Sequence, residues 1–219
     1  MKKKLLAGLL TSASVLGVCI AGGNALATET DTVDTKAGIG FTDYNPGTSG
    51  DDLQVKWAPG NFDFGSSNAV NSNATSYNED SDAKKYVVVE DGRAETNSDK
   101  WELNVALSDI KSGSAQLTGA TLEFDAAVQA YQGSAAPDSP GSIVAPTAAH
   151  TAAVTNTTQV LNQGGVAQKL IEDDGNGTSS YKGTTALEMD GIKMNVPAGV
   201  AVEGRQYSGT LTWSLDDTL

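Results

Sequence analysis

The chain has 219 residues, and its 27 Asp and Glu outnumber its 14 Lys and Arg, for a formal net charge of −13 at pH 7. An acidic surface of this kind disfavours nucleic acid and anionic lipid as binding partners. The one cysteine, Cys19, lies within the first 27 residues, so their removal would exclude disulfides and thiolate metal sites. The length is sufficient for one hydrophobic core, which must stabilise the fold without covalent cross-links.

The first 27 residues predict an export signal that is removed from the mature protein. Residues 2–4 are lysines, residues 5–20 are mainly apolar, and residues 25–27 have the small-x-small pattern of a cleavage site. We expect cleavage after Ala27, which would remove three lysines and Cys19 and leave a net charge of −16. The apolar run is too short for a convincing membrane span.

Residues 28–36 are polar and predict a flexible tail at the mature N-terminus, followed by one domain over residues 37–219. Within this domain, short segments with β-branched, aromatic or alternating apolar residues lie between turn residues, a pattern that predicts strands. The predicted strands, in chain order, cover residues 55–57, 62–64, 86–90, 101–107, 117–125, 192–196 and 207–215.

Two polar stretches predict long loops within the domain. The first covers residues 68–82, and the second, residues 133–149, is a low-complexity stretch of Ser, Ala, Pro and Gly. The second loop belongs to the domain because strand patterns resume after it. No long amphipathic helix is predicted. The pattern therefore predicts an all-β, antiparallel, sandwich-like single domain with long polar loops.

The triplet Trp-x-Leu occurs twice, first with Trp101 and Leu103 and then with Trp213 and Leu215. Successive side chains of a strand point to opposite faces, so the Trp and Leu of each triplet project together. They could form an exposed platform that stacks on sugar rings, or they could pack in the core. The alternation favours the core, where they would hold the two strands close together. Trp57, beside a Pro-Gly turn, is a better candidate for an exposed ring.

Residues that could carry catalysis or bind a metal form no specific pattern. The single histidine, His150, has no acidic neighbour in sequence and no nucleophile-elbow motif accompanies it. The acidic segment 172–177 lacks the ligand spacing of a calcium loop and predicts a tight turn. Asp91 and Arg93 flank a turn and predict a structural ion pair rather than a ligand clamp. We therefore expect no catalytic residues, no metal and no cofactor.

Several sequence blocks resemble, in order, those of the WxL-domain surface proteins of low-GC Gram-positive bacteria. The blocks are residues 58–65, 89–93, 100–105, 117–122, 196–199 and 207–215, and they span nearly all of the predicted mature chain. The resemblance implies a secreted, extracellular protein held non-covalently at the cell-wall surface, with peptidoglycan or another wall glycan as ligand and no catalysis. It also implies a membrane-anchored partner protein or other WxL proteins as further partners. The lack of a sortase-type Leu-Pro-x-Thr-Gly motif agrees with non-covalent attachment.

Two alternatives remain open from the sequence. The chain could be an adhesin or assembly subunit that binds a partner surface protein or host matrix, with glycan binding incidental. It could also be a wall-active glycosidase, which needs two carboxyl groups about 5–10 Å apart across a cleft. The sequence contains many acidic residues but identifies no such pair.

Overall fold

The computed structural model describes residues 28–37, 53–81, 83–94, 100–177 and 179–217. The predicted export signal and its cleavage after Ala27 lie outside these residues. The described residues form fourteen β-strands and one short 3₁₀ helix. In this part of the chain, no helix has the length and apolar character needed to cross a membrane.

The strands are numbered in chain order. They are β1 (Thr28–Ala37), β2 (Leu53–Trp57), β3 (Thr75–Asn78), β4 (Lys85–Asp91), β5 (Trp101–Leu107), β6 (Lys111–Ser112), β7 (Ala115–Gln116), β8 (Thr121–Tyr131), β9 (Ile143–Val144), β10 (Ala153–Val154), β11 (Thr158–Asn162), β12 (Gln168–Asp173), β13 (Gly183–Val196) and β14 (Gly209–Asp217), and the 3₁₀ helix is Gly175–Gly177.

Two antiparallel sheets contain nearly all of these strands. Sheet A has the order β1-β14-β5-β12-β10, and sheet B has the order β11-β8-β13-β4-β2. In sheet B, β3 pairs with the second half of β13, and β9 pairs with the end of β8. Strands β6 and β7 form a separate two-stranded sheet. The predicted all-β, antiparallel, sandwich-like class is confirmed.

The inward faces of the two sheets supply one large core. The alternation is clear in β14, where Leu211, Trp213 and Leu215 are all 0% exposed. The largest fully buried side chains are Trp101, Trp213, Phe62, Phe124, Leu103, Leu107, Leu122, Leu161, Leu170, Ile171, Leu187 and Met189. All of them except Phe62 come from strands of the two sheets, so apolar burial between the sheets stabilises the sandwich.

The first ten described residues correct the prediction of a flexible tail over residues 28–36. They form β1, which pairs with β14 from Thr28 opposite Asp217 to Ala37 opposite Gly209. A polar segment can occupy the edge of a sheet because backbone N–H and C=O groups make the hydrogen bonds between strands. The composition of the segment therefore did not predict the pairing, and the folded unit begins before residue 37.

Several other predicted boundaries also differ from the structure. Strand β8 continues beyond its predicted end to Tyr131, because it pairs with β13 along most of its length. Residues 62–64 were predicted as a strand but lie between named strands, although Phe62 belongs to the core. The predicted loop at 133–149 contains β9, and the predicted loop at 68–82 contains β3.

Candidate functional site

The two Trp-x-Leu triplets lie on neighbouring strands of sheet A. In the register of β5 and β14, Leu215 is opposite Leu103 and Trp213 is opposite Val105. Trp101 is 1% exposed, and the other motif side chains are 0% exposed. The triplets therefore pack in the core and hold their strands together, and they leave almost no indole surface for a ligand.

Asp91 and Arg93 belong to a network that connects the two sheets. Arg93 Nε and Nη2 donate to the two carboxylate oxygens of Asp91, each at 2.9 Å. Ser180 Oγ and Lys182 Nζ donate to the same carboxylate at 2.7 and 3.1 Å. Arg93 Nη1 donates to Asp217 Oδ1 at 2.5 Å. Asp91 ends β4 of sheet B and Asp217 ends the ladder of β14 in sheet A, so the guanidinium group connects the sheets.

Asp91 and Arg93 stay ionised at neutral pH. Burial alone would raise the pKa of Asp91, but hydrogen bonds from Arg93, Ser180 and Lys182 outweigh burial and lower that pKa below its ordinary value of 3.8. Burial would lower the pKa of Arg93, but its bonds to Asp91 and Asp217 raise it above its ordinary value. The network is therefore a fixed ionic clamp at one end of the sandwich.

Trp57 lies on the outer face of sheet B, away from the core. Val55 of the same strand packs in the core, and a β-bulge between Val55 and Trp57 turns the indole to the opposite face. There Trp57 packs against a small apolar cluster of Val88, Tyr131 and Ala186. The indole is half-buried, and it is the one of the three tryptophans that reaches the surface.

We call the outward-facing side chains around Trp57 the Trp57 face. Its members are Gln54, Lys56, Trp57, Tyr86, Val88, Glu90, Tyr131, Thr184, Ala186 and Glu188. The register places Glu90 of β4 opposite Gln54 of β2 and opposite Thr184 of β13. The face is therefore continuous across β2, β4, β13 and the end of β8. Five of its ten members are buried: Gln54, Val88, Tyr131, Ala186 and Glu188.

Polar groups surround the apolar cluster of the Trp57 face. Lys56 Nζ lies 2.8 Å from Glu90 Oε1 and 5.8 Å from the centre of the Tyr131 ring. Gln54 Nε2 donates to Glu90 Oε2 at 3.0 Å. An aromatic ring beside amide, carboxylate and ammonium groups offers both an apolar surface and hydrogen bonds, which together suit a ligand such as a sugar.

The structure also shows what surrounds His150 and the acidic turn that begins at Asp173. The ring centre of His150 lies 3.9 Å from that of Tyr181. Asp173, in the acidic turn, is 0% exposed and accepts hydrogen bonds from the backbone N–H groups of Gly175 and Tyr181. Within the described ranges, no group of three or more His, Cys, Asp or Glu side chains is placed to hold a metal ion.

A family model described as WxL domain surface cell wall-binding matches residues 30–218. The chain belongs to the WxL family. The match begins within β1 and continues past the end of β14, so it includes both sheets and both motif strands. The match confirms the family resemblance. It shows that this WxL protein has a surface domain of the kind that binds the cell wall. No curated protein and no solved structure matches the chain significantly.

Sequence reasoning singled out Trp57 of this WxL protein but missed the side chains around it. Gln54 and Glu90 lie on different strands and Tyr131 ends a third, so no sequence motif connects them. The one usable signal was in β4 (Lys85–Asp91), where every second residue must face outward if the others are buried.

Proposed function

We propose that this WxL protein is exported and held non-covalently at the Gram-positive cell wall by the glycan of peptidoglycan, without making or breaking a covalent bond. The observation that carries the proposal is the family match over residues 30–218, which covers all but the first two residues of the sandwich. Removal of the signal after Ala27 and an extracellular location belong to the same proposal.

The carboxyl groups with lowered pKa values take part in structural ion pairs. A catalytic acid or base has a pKa that lies near the working pH and faces a cleft. Among the described residues, lowered carboxyl pKa values belong to Glu79, Asp91 and Glu123, and each pairs with a lysine or arginine. These carboxylates are held ionised within structural ion pairs, so they are unsuited to act as a general acid.

The position of the motif tryptophans bears on how the domain would bind. Trp101 and Trp213 are 1% and 0% exposed, so a ligand could reach their rings only if the sandwich opened. The Trp-x-Leu triplets therefore support a scaffold that presents other side chains to the wall. This division between scaffold and contact surface is consistent with a binding module.

Sedimentation with purified sacculi tests the proposal. The exported protein is mixed with sacculi stripped of protein, at salt concentrations from about 0.05 to 1 M, which screen charges to different extents. We expect the protein to pellet at every salt concentration, because contacts to an uncharged glycan are not screened. An unrelated acidic secreted protein is the control. Recovery of the WxL protein in the supernatant throughout would contradict direct attachment.

Two more measurements separate the alternatives. If attachment is relayed, or if the chain is an adhesin or assembly subunit, it will be captured by a membrane-anchored partner, another surface protein or host matrix rather than by bare sacculi. If the chain is a glycosidase, incubation with cell wall will release reducing ends. We expect capture by bare sacculi and no release of reducing ends.

A further inference from the structure

We propose that the Trp57 face contacts the wall glycan, with the half-buried indole stacked on a pyranose ring of an uncharged glycan strand. This inference rests on the proposed function and adds the place and the chemistry of the contact. Its three supports are the exposure of the tryptophans, the shape of the face, and the balance of its charges.

The tryptophans of the chain divide between the core and this face. Trp101 and Trp213 are 1% and 0% exposed, whereas Trp57 is half-buried at the surface. The C–H groups on one side of a pyranose ring pack well on an indole, provided that part of the indole is accessible. Trp57 meets that condition, and the two motif tryptophans do not.

The shape of the face is set by which of its side chains stay accessible. Lys56, Trp57 and Glu90 are partly exposed, whereas Val88, Tyr131 and Ala186 are buried against the indole. Val88 is opposite both Trp57 and Ala186, which places apolar support beside the indole. Glu90 lies in the adjacent row, where its partly exposed carboxylate can accept hydrogen bonds from hydroxyl groups of a sugar. The buried Gln54 holds this carboxylate through a hydrogen bond of 3.0 Å.

The surroundings of the indole are held in place by hydrogen bonds. Tyr131, which packs with Val88 and Ala186, donates from its hydroxyl to the carbonyl oxygen of Ala135 at 2.5 Å. Thr184 Oγ1 donates to the carbonyl oxygen of Tyr131 at 2.6 Å. Ordering that is complete before the ligand arrives lowers the entropic cost of binding.

The charges of the face favour an uncharged ligand. Lys56 pairs with Glu90 at 2.8 Å, and at the margin Lys84 pairs with Glu188 at 2.6 Å. Asp190 also lies 3.5 Å from Lys84, so two lysines and three carboxylates pair here and leave a net charge of −1, against −13 for the whole chain. A patch of paired charges with so small a net charge attracts neither a polyanion nor a basic peptide strongly. The occupant is therefore an uncharged strand of sugars.

Two substitutions at one position separate stacking from packing. Trp57→Leu keeps an apolar side chain over the Val88 cluster but removes the aromatic ring, whereas Trp57→Phe keeps a ring. We expect W57L to bind protein-free sacculi about tenfold more weakly than wild type, and W57F to stay within about threefold. Tyr207→Leu removes another half-buried aromatic ring elsewhere in the fold and should bind like wild type.

Tryptophan fluorescence of the unsubstituted protein provides a second measurement. The probe is a soluble tetrasaccharide of β-1,4-linked N-acetylglucosamine. Because Trp101 and Trp213 are buried, a change in emission during the titration reports on Trp57. We expect a saturable change in wild type and none in W57F, which should still bind the sugar.

The outcomes distinguish this inference from the function on which it rests. If wild type and W57L pellet equally with sacculi and have equal thermal midpoints, the proposal that the Trp57 face contacts the glycan is wrong. The proposed attachment to the wall is then unaffected. If wild type does not pellet, the proposed function is wrong. If W57L is destabilised, the fluorescence titration of the wild-type protein tests the inference instead. Tryptophan emission that does not change during this titration would overturn the inference.

Discussion

Trp213 and Trp57 show how one residue type has different roles on two strands of the same sandwich. Trp213 lies in the regular part of β14, opposite Val105, and is 0% exposed. Trp57 ends β2 beyond a β-bulge and is half-buried on the outer face of sheet B. The comparison shows how strand pairing and a β-bulge set the face that a tryptophan occupies, and so whether it stabilises the fold or reaches the surface.

The largest expected effect comes from Trp213→Ala. Removal of a fully buried indole leaves a cavity between the sheets and should lower the free energy of unfolding by about 3–5 kcal/mol. Urea unfolding followed by circular dichroism measures the loss. Val166→Ala, at a side chain that is 80% exposed, is the control and should change stability by less than about 0.5 kcal/mol. An unchanged midpoint for W213A would refute the core role of this strand.

The next largest effect is expected for Asp91→Ala, which should lower the free energy of unfolding by about 3 kcal/mol. The substitution leaves Arg93 and Lys182 without their shared carboxylate. This substitution tests whether the ionic clamp, as well as the tryptophan core, holds β14 against sheet B. Urea unfolding again provides the measurement, and Asp138→Ala on the surface is the matched control. Equal stability of the two variants would show that the clamp contributes little.

Trp57→Ala should lower the free energy of unfolding by a smaller amount, about 1–2 kcal/mol. The half-buried indole of Trp57 has less apolar surface in contact with the protein than a fully buried indole has. The far-ultraviolet circular dichroism of W57A should stay native, and its thermal midpoint should lie above that of W213A. If W57A is the less stable of the two, the contrast between a structural and a surface tryptophan fails.

The smallest expected difference concerns pH. A carboxyl group whose folded-state pKa is lowered stabilises the fold above its ordinary pKa, and this contribution is lost as the pH falls through the folded-state value. Asp91 has such a lowered pKa, from an ordinary value of 3.8. The thermal midpoint of the wild type should therefore decrease when the pH is lowered below about 4. The midpoint of D91A should decrease less steeply over the same pH range. If the thermal midpoints of wild type and D91A change in parallel with pH, Asp91 does not contribute to the loss of stability at acidic pH.

Much of the scaffold could be predicted from the sequence, because strand alternation is a local property. The alternation around Trp101 and Trp213 predicted inward-facing side chains, and both rings lie in the core. The contacts of Arg93 with Asp217 could not be predicted in the same way, because the partners are 124 residues apart. Only the pairing of the strands brings them within hydrogen-bonding distance.

The sequence by itself determined the all-β class, the WxL family and the inward orientation of the motif strands, because these depend on residue order and on the two-residue period of a strand. The tertiary structure alone decided that the polar segment 28–37 pairs with β14 and that Gln54, Glu90 and Tyr131 lie around Trp57. Both outcomes depend on backbone hydrogen bonds to another strand. Those bonds are open to nearly any side chain, so they leave little trace in the sequence.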